Sequence, residues 1–171
     1  MQDSTIIILA SARKKSDTLQ VVERIFHQRN MHCIDLLDQQ IAPYNYEKKY
    51  PAEDNFQEII TQCITFQKII FATPVYWYSM SGMLKNFFDR LTDIVTINKE
   101  LGRKLAGKSI GFIAVGADPE IPPGFETPFT SIAHYFDMQF IGSIYYCTKN
   151  ERIKDLNIQK LSEFLKRVEI G

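Results

Sequence analysis

Five short apolar blocks, at residues 5–10, 32–36, 68–73, 109–115 and 139–145, recur along this chain and are separated by stretches with helical spacing. The first and third, Ile6-Ile7-Ile8-Leu9 and Ile69-Ile70-Phe71-Ala72, are continuous rather than alternating. A strand with one wet face alternates, so continuous runs of this length predict strands buried on both faces. Helical spacing is clearest over 81–95, where Leu84, Phe87, Phe88, Leu91 and Val95 share a face, and over 155–168, where Leu161, Phe164, Leu165 and Val168 do. Leu19, Val22, Ile25 and Phe26 mark an earlier helix directly after the first block. Strands and helices in alternation predict an α/β protein: a parallel sheet with helices on both faces.

At this length a five-stranded, doubly wound parallel sheet of flavodoxin-like order 2-1-3-4-5 is the expected solution, with residues 1–171 forming a single domain. Open sheets of this kind bind ligands beyond the carboxyl ends of the strands, where the strand order reverses beside strand one. The loops after strands one and three should therefore lie side by side. The interval 38–55, rich in Pro, Tyr, Lys and Glu, is too long for an ordinary turn and is expected to frame the same rim.

The loop after strand one reads Ala10-Ser11-Ala12-Arg13-Lys14-Lys15-Ser16-Asp17-Thr18, and no glycine occurs before Gly82. Both common nucleotide loops use glycine to bring backbone close to a pyrophosphate or triphosphate. Here the hydroxyls of Ser11, Ser16 and Thr18, the fork of Arg13 and the free amides of the next helix would serve instead, a donor set suited to one terminal phosphate. Plain helix capping by Ser16 or Asp17, with Arg13 a surface charge, reads the same residues equally well.

A second segment, Thr73-Pro74-Val75-Tyr76-Trp77-Tyr78-Ser79, sets the sole tryptophan between two tyrosines directly after strand three. Proline restricts the local backbone, so the groups of residues 75–79 would be presented rigidly, forming a wall for a planar heteroaromatic ring. Aromatic residues at such a tip also suit a subunit interface. Lys85, Asp89 and Arg90 on the next helix read as a solvated charged face.

Together these residues resemble the flavodoxin-like NAD(P)H-dependent FMN reductases, which include quinone, azo-dye and chromate reductases. Ser11, Arg13, Ser16 and Thr18 match a loop of the form S-x-R-x-x-S-x-T; Thr73, Pro74, Tyr76, Gly82, Leu84, Lys85, Asp89 and Arg90 match T-P-x-Y-x-x-x-x-x-G-x-L-K-x-x-x-D-R. The resemblance implies FMN and NAD(P)H as cofactors. It puts the FMN phosphate among Ser11, Arg13, Ser16, Asp17 and Thr18, and the ring against Pro74, Val75, Tyr76, Trp77, Tyr78 and Ser79. Gly116 and Ala117, after strand four, are also implied, although residues 117–124 are proline-rich and acidic where relatives carry a serine and several glycines. A small-molecule electron acceptor and a homodimer or higher homo-oligomer follow from the same resemblance. No side chain is assigned a catalytic role, because a flavin carries the redox chemistry itself.

Composition narrows the alternatives. Twenty basic and twenty acidic residues cancel, so no global field draws nucleic acid or an anionic membrane. The apolar blocks are too short to span a bilayer and Met1–Ser4 lacks a positive leader region, which leads to the expectation of a cytoplasmic protein. Cys33, Cys63 and Cys147 are scattered and read as buried thiols; with His27, His32 and His134 they show no ligand spacing for a metal. A flavodoxin-type electron carrier would be strongly acidic with a glycine-containing phosphate loop. A flavin-free interaction protein of the same fold remains the other alternative.

Overall fold

The computed structural model describes residues 5–27, 32–149 and 158–169. Met1–Ser4 and positions 155–157 of the expected last helix lie outside the described residues, as does the side chain of Leu161. Strands β1 (Thr5–Leu9), β2 (His32–Asp35), β3 (Lys68–Tyr76), β4 (Ser79–Met80), β5 (Ser109–Gly116) and β6 (Gln139–Cys147) alternate with helices α1 (Asp17–Ile25), α2 (Phe56–Cys63), α3 (Gly82–Thr96), α4 (Lys99–Arg103), α5 (Thr127–Tyr135) and α6 (Ile158–Glu169). The parallel order β2-β1-β3-β5-β6 is the expected 2-1-3-4-5, with β4 added as a short antiparallel return on β3. Among the described residues no helix is long and apolar enough to cross a membrane.

β1 is buried along its whole length, as its unbroken apolar run requires. The two sheet faces are packed differently. On one side Phe71, Phe112, Phe125 and Phe129 pack with Phe56, Phe87 and Phe88 from α2 and α3. On the other, Ile7, Leu9, Ile70 and Ile113 meet Val21, Val22 and Ile25 of α1 and Phe164 and Val168 of α6.

β6 forms one outer edge of the sheet. Its pairing with β5 slips between Ile110 and Phe112, where β6 carries one residue more than its partner, and Gly142 takes φ +111° there. The Arg167 guanidinium of α6 donates to the Ile141 carbonyl at 3.2 Å beside this bulge.

The interval 38–55 is irregular, as expected, and α3 holds it down. Arg90 is the center of that attachment and corrects its reading as a solvated charge: its side chain is only 3% exposed. It donates two bonds to Asp54, at 2.6 and 3.0 Å, one to Asp93 at 2.7 Å and one to the Ala42 carbonyl, and it lies 3.4 Å from the Tyr50 ring centroid. A helical position that faces a loop is as buried as one that faces the core, and i,i+4 charge counting does not distinguish these cases. Lys85 and Asp89 do form the expected exposed pair. Cys33 corrects a second expectation, being exposed rather than buried.

Candidate functional site

The two expected walls adjoin, and one hydroxyl joins them. Ser81, the N-cap of α3, accepts from the Leu84 amide and donates to the carbonyl of Ala10 at the end of β1, 2.8 Å away. Its own amide donates to Thr73 Oγ1, which closes the return of the chain after β3. Sequence reading placed Ser81 at the start of this helix without giving it a part in the site. A serine one residue before Gly82 and the apolar helical run was the available signal.

The first wall is a loop of unused donors. The Ala10 amide donates to Ala72 and the Leu19 amide to Ser16 Oγ. Among the described residues, none of the amides from Ser11 to Thr18 has a hydrogen-bond partner, nor do the hydroxyls of Ser11 and Thr18. Both hydroxyl residues are almost fully buried, and α1 begins at Asp17 with its positive dipole end on the same loop. Such a cradle fits a phosphate without glycine. Ser16 is the cap as well as a member of the loop, so its two readings are compatible. Arg13 is exposed and pairs with Asp17 at 3.0 Å, and Lys14 turns away to Asp35 and Asp38.

The second wall departs from the expected loop. Pro74 does not make a turn but continues β3, buried and paired with Val115. The Ala72 carbonyl faces β1, so position 74, of the same parity, faces the same side, where β1 has already ended; proline forfeits no ladder bond there. Val75 pairs with Met80 and Tyr76 with Ser79, leaving Trp77 and Tyr78 as a two-residue hairpin turn. Both turn residues have positive φ, 47° and 65°, the primed geometry normally taken by Asn-Gly. Trp77 is 93% and Tyr78 69% exposed, so the core does not reward this backbone strain. Replacing Trp77-Tyr78 by Asn-Gly is expected to raise stability by about 1–2 kcal/mol, read from the denaturant midpoint.

Gly116 and Ala117 extend the second wall, since Val115 is paired with Pro74 and Gly116 follows it at the end of β5. A Cβ on Gly116 would stand 2.5 Å from the Tyr145 hydroxyl, so any side chain here would push that hydroxyl aside. That hydroxyl donates to the Asp118 carbonyl at 2.8 Å, and burial pushes the Tyr145 phenol pKa upward. All thirteen residues expected at the site lie at the carboxyl ends of β1, β3 and β5 or in what directly follows them: Ser11, Arg13 and Ser16 in the loop after β1, Asp17 and Thr18 in the first turn of α1, Pro74, Val75 and Tyr76 in β3, Trp77 and Tyr78 in the hairpin turn, Ser79 in β4, Gly116 last in β5 and Ala117 just after it.

Similarity to known proteins follows the same lines. The model of the NADPH-dependent FMN reductase family matches residues 4–151. A Bacillus subtilis (strain 168) protein named for NAD(P)H-dependent, FMN-containing oxidoreductase activity, YwqN, is 33% identical over 98 residues, 55% of this chain and 54% of that one. The match thus spans about half the length of that relative. Among solved structures, the Trp repressor binding protein from Bacillus subtilis is similar with TM-score 0.71 and 25% identity, over 94% of this chain and 96% of that one. An NADPH-quinone reductase from P. pentosaceus, 17% identical, shares the fold with TM-score 0.68 over 98% and 99% of the two chains. With a family model covering most of its length, the chain belongs to the NADPH-dependent FMN reductase family.

Proposed function

We propose that this chain is a single flavin-binding domain, residues 1–171, that binds FMN and uses NAD(P)H to reduce a small oxidised acceptor of the quinone, azo or flavin class. The observation that carries this reading is the Ser81 hydroxyl bond to Ala10, which sets a cradle of free phosphate donors beside a rigid wall suited to a flat ring. Ser11, Ser16, Thr18, the amides around Arg13 and Asp17, and the Arg13 guanidinium turned in from Asp17 would hold the phosphate. Pro74, Val75, Tyr76 and Ser79, with Gly116 and Ala117, would line the ring. Trp77 and Tyr78 would cover the open side, where a nicotinamide or acceptor ring could stack.

When bound, FMN supplies the hydride acceptance and electron delivery for which no protein side chain is suited. The chain contributes position and shelter: the phosphate loop fixes one end, β3 fixes the plane of the wall, and the aromatic tip limits water at the reacting face. The same reading includes a homodimer, in which the exposed tip of one subunit borders the hollow of the other, and a cytoplasmic location.

The deciding experiment adds FMN to the purified protein, removes the excess, and titrates NADH or NADPH under anaerobic conditions. Bleaching of the bound visible band, followed by steady nicotinamide oxidation when a quinone is added, is the expected result. A protein that takes up FMN but oxidises neither nicotinamide would be an electron carrier instead, and one that takes up none would exclude the proposal. Arg13→Ala should weaken FMN about tenfold, through loss of one charge-assisted bond, and leave riboflavin binding unchanged. Equal loss for both flavins would remove Arg13 from the phosphate site.

A further inference from the structure

Three consecutive carbonyls, from the last residue of β5 onward, are held by three groups at and just past the end of β6. The Thr148 amide donates to Gly116 at 2.8 Å, the Cys147 thiol to Ala117 at 3.5 Å, and the Tyr145 hydroxyl to Asp118 at 2.8 Å. In a trans peptide the N–H points opposite to the C=O of the same unit. Carbonyls of Gly116 and Ala117 turned toward β6 therefore aim the amides of Ala117 and Asp118 away from it, toward the side of β3. Pro119 takes the third position and has no N–H to aim. Among the described residues neither of the two amides has a hydrogen-bond partner. They project at the level where Val75 leaves the sheet, since Pro74 pairs with Val115.

We propose that Tyr145 is a positioning residue for the flavin ring: by fixing the Asp118–Pro119 unit it closes the turn whose two preceding units, held by the Thr148 amide and the Cys147 thiol, present the Ala117 and Asp118 amides to the polar edge of the ring. This rests on the flavin reading given above. A glycine-rich turn reaches such a geometry through a permissive backbone. In this chain alanine, aspartate and proline fill those places, and the conformation is imposed from β6. Gly116 belongs to the same device, because a Cβ there would displace the Tyr145 hydroxyl from its path across the strand.

The test is the binding of FMN and of riboflavin, which lacks the phosphate, to four proteins: wild type, Tyr145→Phe, Gly116→Ala and the double variant. Tyr145→Phe removes one partly exposed hydrogen bond, so its melting temperature should stay close to that of wild type. An unlatched turn spends less time in the competent conformation, and the dissociation constant rises by the inverse of that fraction. A rise of about tenfold is expected, equal for FMN and riboflavin because the ring end is affected, unlike the FMN-only effect of Arg13→Ala. Gly116→Ala should produce a similar loss by displacing the hydroxyl. The double variant should lose about tenfold in all, not the hundredfold of independent sites. Riboflavin affinity within about twofold of wild type in Tyr145→Phe, or additive losses in the double variant, would overturn the latch. A wild-type protein that binds neither flavin would withdraw the flavin reading, and the latch with it.

Discussion

Arg90→Ala is expected to destabilise the protein by about 3–5 kcal/mol, because it leaves two buried carboxylates without their counter-ion. Asp54 and Asp93 are 7% and 8% exposed, and the guanidinium satisfies both while lying against Tyr50 and Phe56. The melting temperature should fall by roughly 10 °C for a chain of this size. Arg90→Lys keeps the charge but not the fork, and should recover only part of the loss. Acid provides a second signature. Burial works against ionisation of Asp54, but the Arg90 fork and the Ala42 and Phe56 amides hold its pKa below the ordinary 3.8. In the native protein this carboxylate therefore contributes stability that is fully present above the ordinary value and lost as pH falls through the lowered one. Without Arg90, burial dominates and raises the pKa, so the sign reverses. The deficit of Arg90→Ala should shrink as pH is lowered from 7 toward 4, as followed by denaturant unfolding at each pH. A deficit independent of pH would mean that lost packing, not the stranded carboxylates, carries the effect.

Ser81→Ala is expected to cost about 2–4 kcal/mol and to weaken FMN about tenfold. The stability loss combines an N-cap, about 1 kcal/mol, with the unpaired carbonyl of fully buried Ala10, about 1–3 kcal/mol. The affinity loss has a different source: the two walls would no longer share a common tie, and a rigid ligand must bind to both at once. Ser81→Thr, which retains the hydroxyl, should restore both properties. Calorimetry and a fluorescence titration of FMN would measure the pair. A loss of stability with unchanged affinity would show that the tie is structural only.

The fold was legible because its signals are local. Unbroken runs such as Ile6-Ile7-Ile8-Leu9 admit only a doubly covered strand, and the spacing from Leu84 to Val95 admits only a helix with one buried face. The site was legible to the level of its loops, since serines and threonines before a helix and an aromatic cluster after a strand have direct chemical readings. One local turn and the long-range contacts were not visible. The hairpin after Tyr76 was missed because Trp-Tyr is a poor choice for two residues with positive φ, and turn chemistry predicts against it. Arg90 was misread because its partner Asp54 lies 36 positions away, and the Tyr145 bond to Asp118 crosses between strand and loop in the same manner.

The bulge at Gly142 also shapes how copies of this molecule can meet. A long, flat outer strand offers a row of open donors and acceptors on which another chain can grow, the first step toward fibrils. Here that row is kinked at Gly142. Strand addition along β6 is thereby discouraged.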